Sequence, residues 1–362
     1  MRIMVVANNL LPGGAERVIV QLLNNWSLND IECSLVVINK TEHYYTLSDK
    51  INLYEIDQVS KNQIFNKLGK YEKVRKLAIK LHPDIVLSLP EEIGIYVIGA
   101  LKGTGIPVVV SERNNPWVMP NKKVTRALRK LLYPSASGLI FQTRQAASFF
   151  SEKLQKNGIV LPNPLDLSRI PMPYMGEREK IIVGAGRLEP QKNFHLLIDA
   201  FTRFYKTHLD YKLEIYGEGS LRQELESYAK SKIPEGNFAF LGRVTDLPER
   251  MRKCAAFVLS SDFEGVPNVL IEAMAMGVPS VATDCAPGGA AELIEDGVNG
   301  FVVPIGDAER LSNKITEVVD NIGLAKNFSV ESVKIKKRLD ANIVCREWLN
   351  FLIKCANANK NS

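Results

Sequence analysis

The sequence predicts an α/β protein built from two doubly wound parallel sheets. Three observations carry that expectation. The chain has 362 residues, which suits two domains or one large one. Short apolar runs alternate with amphipathic stretches along its whole length. The runs show little polar alternation, as expected of parallel strands covered on both faces.

The first series of runs lies at 3–7, 34–38, 84–89, 107–111 and 138–141. Its opening member stops at Asn8-Asn9, too early for a secretory leader, and reads as a first buried strand. Gly13-Gly14 then opens a helix over 15–26. Over 64–81, the apolar residues Ile64, Leu68, Tyr71, Val74 and Leu81 recur at helical spacing between Lys67, Lys70, Lys73, Arg75, Lys76 and Lys80. A second basic cluster, Lys122, Lys123, Arg126, Arg129 and Lys130, is interleaved with Val124, Leu128, Leu131 and Leu132. Each stretch reads either as a helix with a core face and a solvated charged face, or as a surface for an anionic membrane leaflet. Pro162, Pro164, Pro171, Pro173 and Gly176 make 161–178 a poor helix or strand and mark the join between domains. The second series follows at 181–185, 212–216, 256–260 and 278–283, and past Asn327 the chain is charged and helix-like. The expected bounds are 1–164 for the first domain, 165–338 for the second and 339–362 for a final helix.

Composition narrows the class. No apolar run approaches the roughly 18 residues needed to span a bilayer. Five scattered cysteines without a Cys-x-x-Cys pair fit a reducing compartment and argue against a zinc site or a disulfide framework. The net charge of +6 is uneven. Residues 1–160 hold 21 Lys plus Arg against 13 Asp plus Glu, a net of +8, so the remainder carries −2. A basic first half calls for an anionic partner. No nucleic-acid-binding module is visible, so a membrane surface or a lipid diphosphate suits it better than nucleic acid.

The most informative segment is 260–272, Ser-Ser-Asp-Phe-Glu-Gly-Val-Pro-Asn-Val-Leu-Ile-Glu. Glu264 lies in a Gly- and Pro-containing loop after an apolar strand, and Glu272 lies about one turn into the next helix. Ionised carboxylates accept charge-assisted hydrogen bonds from vicinal hydroxyls, so the pair suits a sugar nucleotide. Arg187 and Lys192 flank Leu-Glu-Pro-Gln after another strand, and two cations on one loop suit a diphosphate. Gly13-Gly14 at a helix start offers backbone N–H groups to an anion. Gly217-Glu218-Gly219 is a weak dinucleotide signal, because Arg222 stands where a third glycine would be. Solvated loop and helix charges would account for any one of these features alone.

Taken together, these motifs resemble the retaining glycosyltransferases of family four, with their E-x7-E motif and GT-B fold. The resemblance covers nearly the whole chain and is carried by Gly13-Gly14-Ala15-Glu16-Arg17, Gly186-Arg187-Leu188 with Gln191-Lys192-Asn193, Gly217-Glu218-Gly219, Glu264 with Glu272, and Gly288-Gly289 with Glu292. It implies two Rossmann-like domains facing a central cleft, with the last helix returning to the first domain on a face that includes Trp348, Phe351 and Leu352. It also implies Glu264, Arg187 and Lys192 as catalytic residues. A donor site follows from Gly14, Gly186, Arg187, Lys192, Gly217, Arg243, Val244, Glu264, Gly265, Pro267, Asn268 and Glu272. Gly13, Glu16, Arg17, Glu112 and Arg113 fall on the acceptor side. Many relatives carry a histidine where this chain has Arg113, so Glu112 or Arg113 either contacts the acceptor or forms a structural loop salt bridge.

The function implied is transfer of an N-acetylhexosamine or hexose from a UDP-sugar to a glycan, on a polyprenyl-diphosphate carrier, in surface polysaccharide assembly such as O-antigen or capsule. The donor is a substrate and no cofactor or metal is expected, since the chain has no Asp-x-Asp. The implied location is cytoplasmic, peripheral on the inner membrane face. A UDP-sugar epimerase of the same fold, or a two-lobed sugar-binding protein without turnover, are the alternatives.

Overall fold

A computed structural model of the chain describes residues 1–360. The chain forms two compact units, Met1–Pro164 together with the stretch from Asp340 onward, and Leu165–Leu339.

The first unit is a seven-stranded, all-parallel sheet. Its strands are β1 (Arg2–Ala7), β2 (Glu32–Val37), β3 (Asn52–Glu55), β4 (Ile85–Ser88), β5 (Val108–Ser111), β6 (Gly138–Phe141) and β7 (Gly158–Val160). Their order is β3-β2-β1-β4-β5-β6-β7, so the winding reverses beside β1. Along β1, Ile3, Val5 and Ala7 enter one core layer while Met4 and Val6 enter the other. With both faces buried, no polar position alternates, which is why the strand reads as a continuous apolar run.

Helices α1 (Gly14–Ser27), α2 (Gln63–Leu81), α3 (Glu91–Leu101) and α4 (Lys123–Leu132) belong to this unit. On α1 the buried Val18, Ile19, Leu22, Leu23 and Trp26 follow helical spacing and pack beside the C-terminal helix Ala341–Lys360. Trp26 Nε1 donates to the Cys345 carbonyl at 2.9 Å, and Trp348 Nε1 donates to that of Pro162 at 3.2 Å. Trp348, Phe351 and Leu352 lie in the same core layer as β1. Residues 341–360 thus pack within the first unit although 175 residues of the second unit separate them from it in sequence.

The second unit is a six-stranded parallel sheet of β8 (Glu179–Ala185), β9 (Lys212–Tyr216), β10 (Phe238–Gly242), β11 (Cys254–Leu259), β12 (Ser280–Asp284) and β13 (Phe301–Pro304), in the order β10-β9-β8-β11-β12-β13. Its core is again two layers, with Ile182 of β8 in one and Val183 in the other.

The strands that apolar runs do not delineate, β3, β7, β10 and β13, are the four sheet edges. They are short and only partly buried. An edge strand is paired on one side only and is under weaker demand for apolar residues. A second departure concerns α2 and α4. Tyr71 and Val74 of α2 are buried as its helical spacing suggests, but Ile64 is 70% and Leu68 63% exposed. On α4 it is Thr125 and Arg129 that are buried, while Val124 and Leu131 are each 72% exposed. Among the described residues, no helix is long and apolar enough to cross a membrane.

Candidate functional site

The second unit gathers its motif residues at the C-terminal ends of its strands, where open parallel sheets place ligands. The turn after β8 is tied to the turn after β9, since Gly186 N–H donates to Tyr216 O at 2.9 Å and Leu188 N–H to Glu218 O at 3.0 Å. Gly217 has φ +134°, and a Cβ there would collide with the Gly186 carbonyl oxygen, so a side chain would push the two turns apart. Gly217 N–H also donates to Gly242 O at 2.8 Å, adding the end of β10. Arg243 beyond it is exposed, while Val244 is half-buried against the core.

Arg187 projects into solvent from the turn after β8. Lys192 ends a short 3-10 turn, Pro190–Lys192, and its Nζ forms an ion pair with Glu264 Oε2. Both side chains are largely buried, at 12% and 15% exposure. Ser261 Oγ adds a contact to the same Glu264 oxygen at 3.4 Å.

A ladder of bonds joins the two loops that carry this pair. Asp262 N–H donates to Gln191 O and Gln191 Nε2 to Phe263 O, both at 2.9 Å, and Ser260 Oγ donates to Lys192 O at 2.9 Å. Asn193 sits at φ +42°, a left-handed conformation that asparagine tolerates better than most residues. Its Oδ1 caps the helix Phe194–Tyr205 by accepting from Leu196 N–H at 3.2 Å, and its Nδ2 donates to Asp262 Oδ1 at 2.7 Å. One residue therefore starts the helix and staples Lys192's loop to Glu264's. The sequence marks Asn193 as a helix start within the Gln191-Lys192-Asn193 motif, but nothing in it pairs Asn193 with Asp262.

The far side of the Glu264 loop is fixed as well. Glu264 N–H donates to Ala286 O at 3.1 Å, and Thr283 Oγ1 donates to Ser261 O at 2.6 Å. Gly289 passes so close to the Gly265 carbonyl that a Cβ would overlap it. Pro267 precedes the helix Asn268–Ala275, which carries Glu272 in a buried position, 6% exposed. Gly265, Pro267 and Asn268 thus shape the link between the two carboxylates. Nearby, burial and then the Glu264 carboxylate push the Cys285 thiol up to about 12, which keeps it protonated at neutral pH.

In the first unit, Gly13 caps α1 and Arg17 N–H donates back to Gly13 O at 3.1 Å. The Glu16 carboxylate folds onto Gly13, where a Cβ would collide with it. The Tyr45 hydroxyl donates to Gly13 O at 3.0 Å. Gly14, the first residue of α1, is exposed. After β5, Glu112 is 1% exposed, accepts from the Tyr133 hydroxyl and lies 3.8 Å from Arg129 Nη1. Burial, then the charge of Glu91, pushes its carboxyl up to about 8. Arg113 N–H donates to Glu91 Oε2 at 3.1 Å, and Arg113 Nη2 donates to Asn163 Oδ1. Burial lowers the Arg113 guanidinium to about 10, opposed by Glu91 and Glu16, so it stays charged at neutral pH. Glu112 is held inside the unit; Arg113 is the half-buried member of the pair and shares the field of Glu16.

The fold, two doubly wound sheets, and the cationic and carboxylate loops locked together at the strand ends of the second fit a glycosyltransferase, and the family models show that class. Residues 12–169 match the family model described as Glycosyltransferase Family 4, and residues 175–334 match Glycosyl transferases group 1. The chain belongs to glycosyltransferase family 4. It is 31% identical to the N-acetylgalactosamine-N,N'-diacetylbacillosaminyl-diphospho-undecaprenol 4-alpha-N-acetylgalactosaminyltransferase of Campylobacter jejuni, covering 94% of this chain and 96% of that one. It is 28% identical to a second Campylobacter jejuni enzyme, the GalNAc-alpha-(1->4)-GalNAc-alpha-(1->3)-diNAcBac-PP-undecaprenol alpha-1,4-N-acetyl-D-galactosaminyltransferase, covering 99% of this chain and all of that one. Among solved structures, Anabaena HepE in complex with UDP and glucose has a TM-score of 0.84 at 20% identity, over 98% of this chain and 100% of that one, a likeness of fold.

The staple makes a prediction for this enzyme. Asp262→Ala removes the partner of Asn193 Nδ2 and should lower kcat about tenfold while donor KM stays within about twofold. Asp262→Asn keeps an acceptor oxygen and should restore most of the loss. Steady-state kinetics on the three proteins decides it, and unchanged kcat in Asp262→Ala would show that the staple does not position the ion pair.

Proposed function

We propose that this enzyme transfers an N-acetylhexosamine or hexose from a UDP-sugar, with retention, to a polyprenyl-diphosphate-linked glycan. The observation that carries the reading is the largely buried Lys192–Glu264 ion pair, with the exposed Arg187 on the same loop as Lys192, at the strand ends of the second unit. The names of the two Campylobacter relatives, both transferases acting on undecaprenyl-diphosphate-linked glycans, support the acceptor class. The UDP bound to HepE supports the donor.

In this reading the bond from the anomeric carbon to the β-phosphate oxygen breaks, and the oxygen keeps the electron pair. Arg187 and Lys192 stabilise the charge that grows on the diphosphate, an electrostatic effect that often supplies the largest share of catalysis. Glu264 accepts hydrogen bonds from hydroxyls of the sugar, and Glu272 from those of the ribose. Gly186, Gly217, Gly265, Pro267, Asn268, Arg243 and Val244 complete the second unit's part of the donor site. The acceptor hydroxyl attacks the same face and passes its proton to the departing phosphate oxygen. Cys285, protonated and buried, is no candidate nucleophile for a double displacement. Gly13, Glu16, Arg17 and Arg113 serve the acceptor side, with Glu112 supporting the Arg113 loop from within. The enzyme works at the cytoplasmic face of an anionic membrane, with its basic first unit toward the lipid.

Nucleotide release from a panel of UDP-, GDP- and ADP-sugars, in chelator, with and without polyprenyl-linked acceptor, tests the reading. UDP release from one donor, stimulated by acceptor, is the expected result. Conversion of a UDP-sugar without any acceptor would favour an epimerase, and donor binding without release under any condition would favour a sugar-binding protein. Failure to bind any donor would overturn the donor-site assignments.

A further inference from the structure

Trp117 takes no part in the transfer step, and its setting differs from that of the other two tryptophans. Trp26 and Trp348 are buried, and their indole N–H groups donate to carbonyls at 2.9 and 3.2 Å. Trp117 is 44% exposed, and its indole N–H has no acceptor among the described residues. It lies beyond β5 in the loop that carries Arg113, at the end of the parallel sheet where Gly13 and Gly14 follow β1.

This loop is held firmly. Asn115 Oδ1 accepts from Trp117 N–H at 3.0 Å, and the Asn115 carbonyl from Met119 N–H at 2.8 Å. Two arginines of α4 bind four more of the loop's carbonyls. Arg129 donates to Pro116 and Met119 at 2.9 Å each, and Arg126 to Val118 and Pro120 at 2.6 Å each. Behind the indole stands a series of rings that leads out from the core. Buried Phe141 packs on Phe150 at 5.2 Å, Phe150 on Phe149 at 5.0 Å, and Phe149 meets Trp117 edge to face at 5.2 Å and 77°. The Arg129 guanidinium lies 4.7 Å from the centre of the Phe149 ring. A tryptophan fixed in solvent forgoes the burial that its large apolar area favours, and a ligand gains most from a surface ordered in advance.

We propose that Trp117, backed by Phe149, is a stacking platform for a sugar ring of the glycan acceptor. The flat apolar indole suits the C–H face of a pyranose, and its unspent N–H suits a hydroxyl or acetamido oxygen at the edge of that ring. In the same loop, Arg113 Nε and Nη1 are enclosed without a hydrogen-bond partner, and they are two further donors for such oxygens. A hydrocarbon chain would leave all three donors unused. The proposal rests on the reading of the chain as a glycan-extending transferase. The effect of Trp117 falls on acceptor affinity and not on the bond that breaks.

The test joins steady-state kinetics on the full chain to its indole fluorescence. Kinetics use the polyprenyl-linked acceptor that stimulates UDP release. Fluorescence is titrated with lipid-free disaccharides of N-acetylgalactosamine, N-acetylglucosamine and glucose, and separately with farnesyl diphosphate, which carries isoprenoid and diphosphate but no sugar. Trp117→Ala should raise the acceptor KM about tenfold, with kcat and the donor KM within about twofold. Trp117→Phe keeps an aromatic face and should recover most of that loss. The thermal midpoint of both variants should stay within about two degrees of wild type, since the side chain is exposed. At least one disaccharide should change the wild-type emission, and the change should be absent from Trp117→Phe, while farnesyl diphosphate leaves the emission as it was. An unchanged acceptor KM in Trp117→Ala overturns the proposal. So does an emission that answers no disaccharide, a change that survives in Trp117→Phe, or a response to farnesyl diphosphate alone. A chain whose Trp117 answers a disaccharide but which releases no nucleotide from any sugar nucleotide would refute the transferase reading alone. Acceptor-stimulated transfer with the same acceptor KM in wild type and Trp117→Ala would refute the platform alone.

Discussion

Glu264→Gln should lower kcat by on the order of 10²–10³-fold, with UDP affinity within about threefold of wild type. The substitution keeps the size of the side chain and removes its charge. Amide oxygen accepts weaker hydrogen bonds than carboxylate, so the contact to the sugar hydroxyls weakens most where charge develops. The Glu264 backbone stays held by Ala286, and the Gly265–Gly289 approach is untouched. Binding should therefore survive while turnover does not. Calorimetric titration with UDP beside steady-state kinetics separates the two, and near-normal turnover in Glu264→Gln would remove Glu264 from the chemistry.

Lys192→Ala should be comparably severe, on the order of 10²–10³-fold in kcat, and should also weaken UDP binding by about tenfold. Lys192 is paired with Glu264 within the protein itself, so its loss carries a larger structural cost than Glu264→Gln, whose amide oxygen can still accept from the ammonium. It leaves a largely buried carboxylate without its cation, a change that costs about 1–3 kcal/mol or more. The thermal midpoint should fall by a few degrees or more. The double variant Lys192→Ala/Glu264→Ala should regain most of that midpoint and none of the activity. If the double variant is as unstable as the single one, the ion pair is not the source of the loss. If Lys192→Ala keeps wild-type turnover, the leaving diphosphate is stabilised elsewhere.

The central strands and the motif turns of this enzyme are legible in the sequence because each answers to a local rule. A strand buried on both faces reads as a near-continuous apolar run, as β6 and β11 do and as β1, β4 and β5 do apart from one terminal residue each. A turn whose backbone touches a neighbouring backbone must be glycine, as at Gly217 and Gly289. Edge strands such as β3 and β7 escape, since they are under no such demand. The candidate site was legible as types and positions, with Arg187, Lys192, Glu264 and Glu272 found by motif. Its internal geometry was not, because the Lys192–Glu264 pair and the Asn193–Asp262 bond join residues 72 and 69 positions apart.

By itself, the sequence determined the parallel α/β class, the two series of strands, the glycosyltransferase family and the residue types available to bind a sugar nucleotide. Local pattern and backbone sterics suffice for the class and the strands, and the resemblance of the motifs carries the family. Only the tertiary structure decided that Lys192 is already paired with Glu264, that Glu112 is enclosed with Tyr133 and Arg129, and that helix 341–360 packs on α1. It also decided which way α2 and α4 turn. Helical spacing shows that a helix has apolar stripes, but not which of them finds a neighbour. On α4 the neighbours took Thr125 and Arg129 and left Val124 and Leu131 in solvent, because the Met119 and Pro116 carbonyls offered the guanidinium hydrogen bonds in the interior.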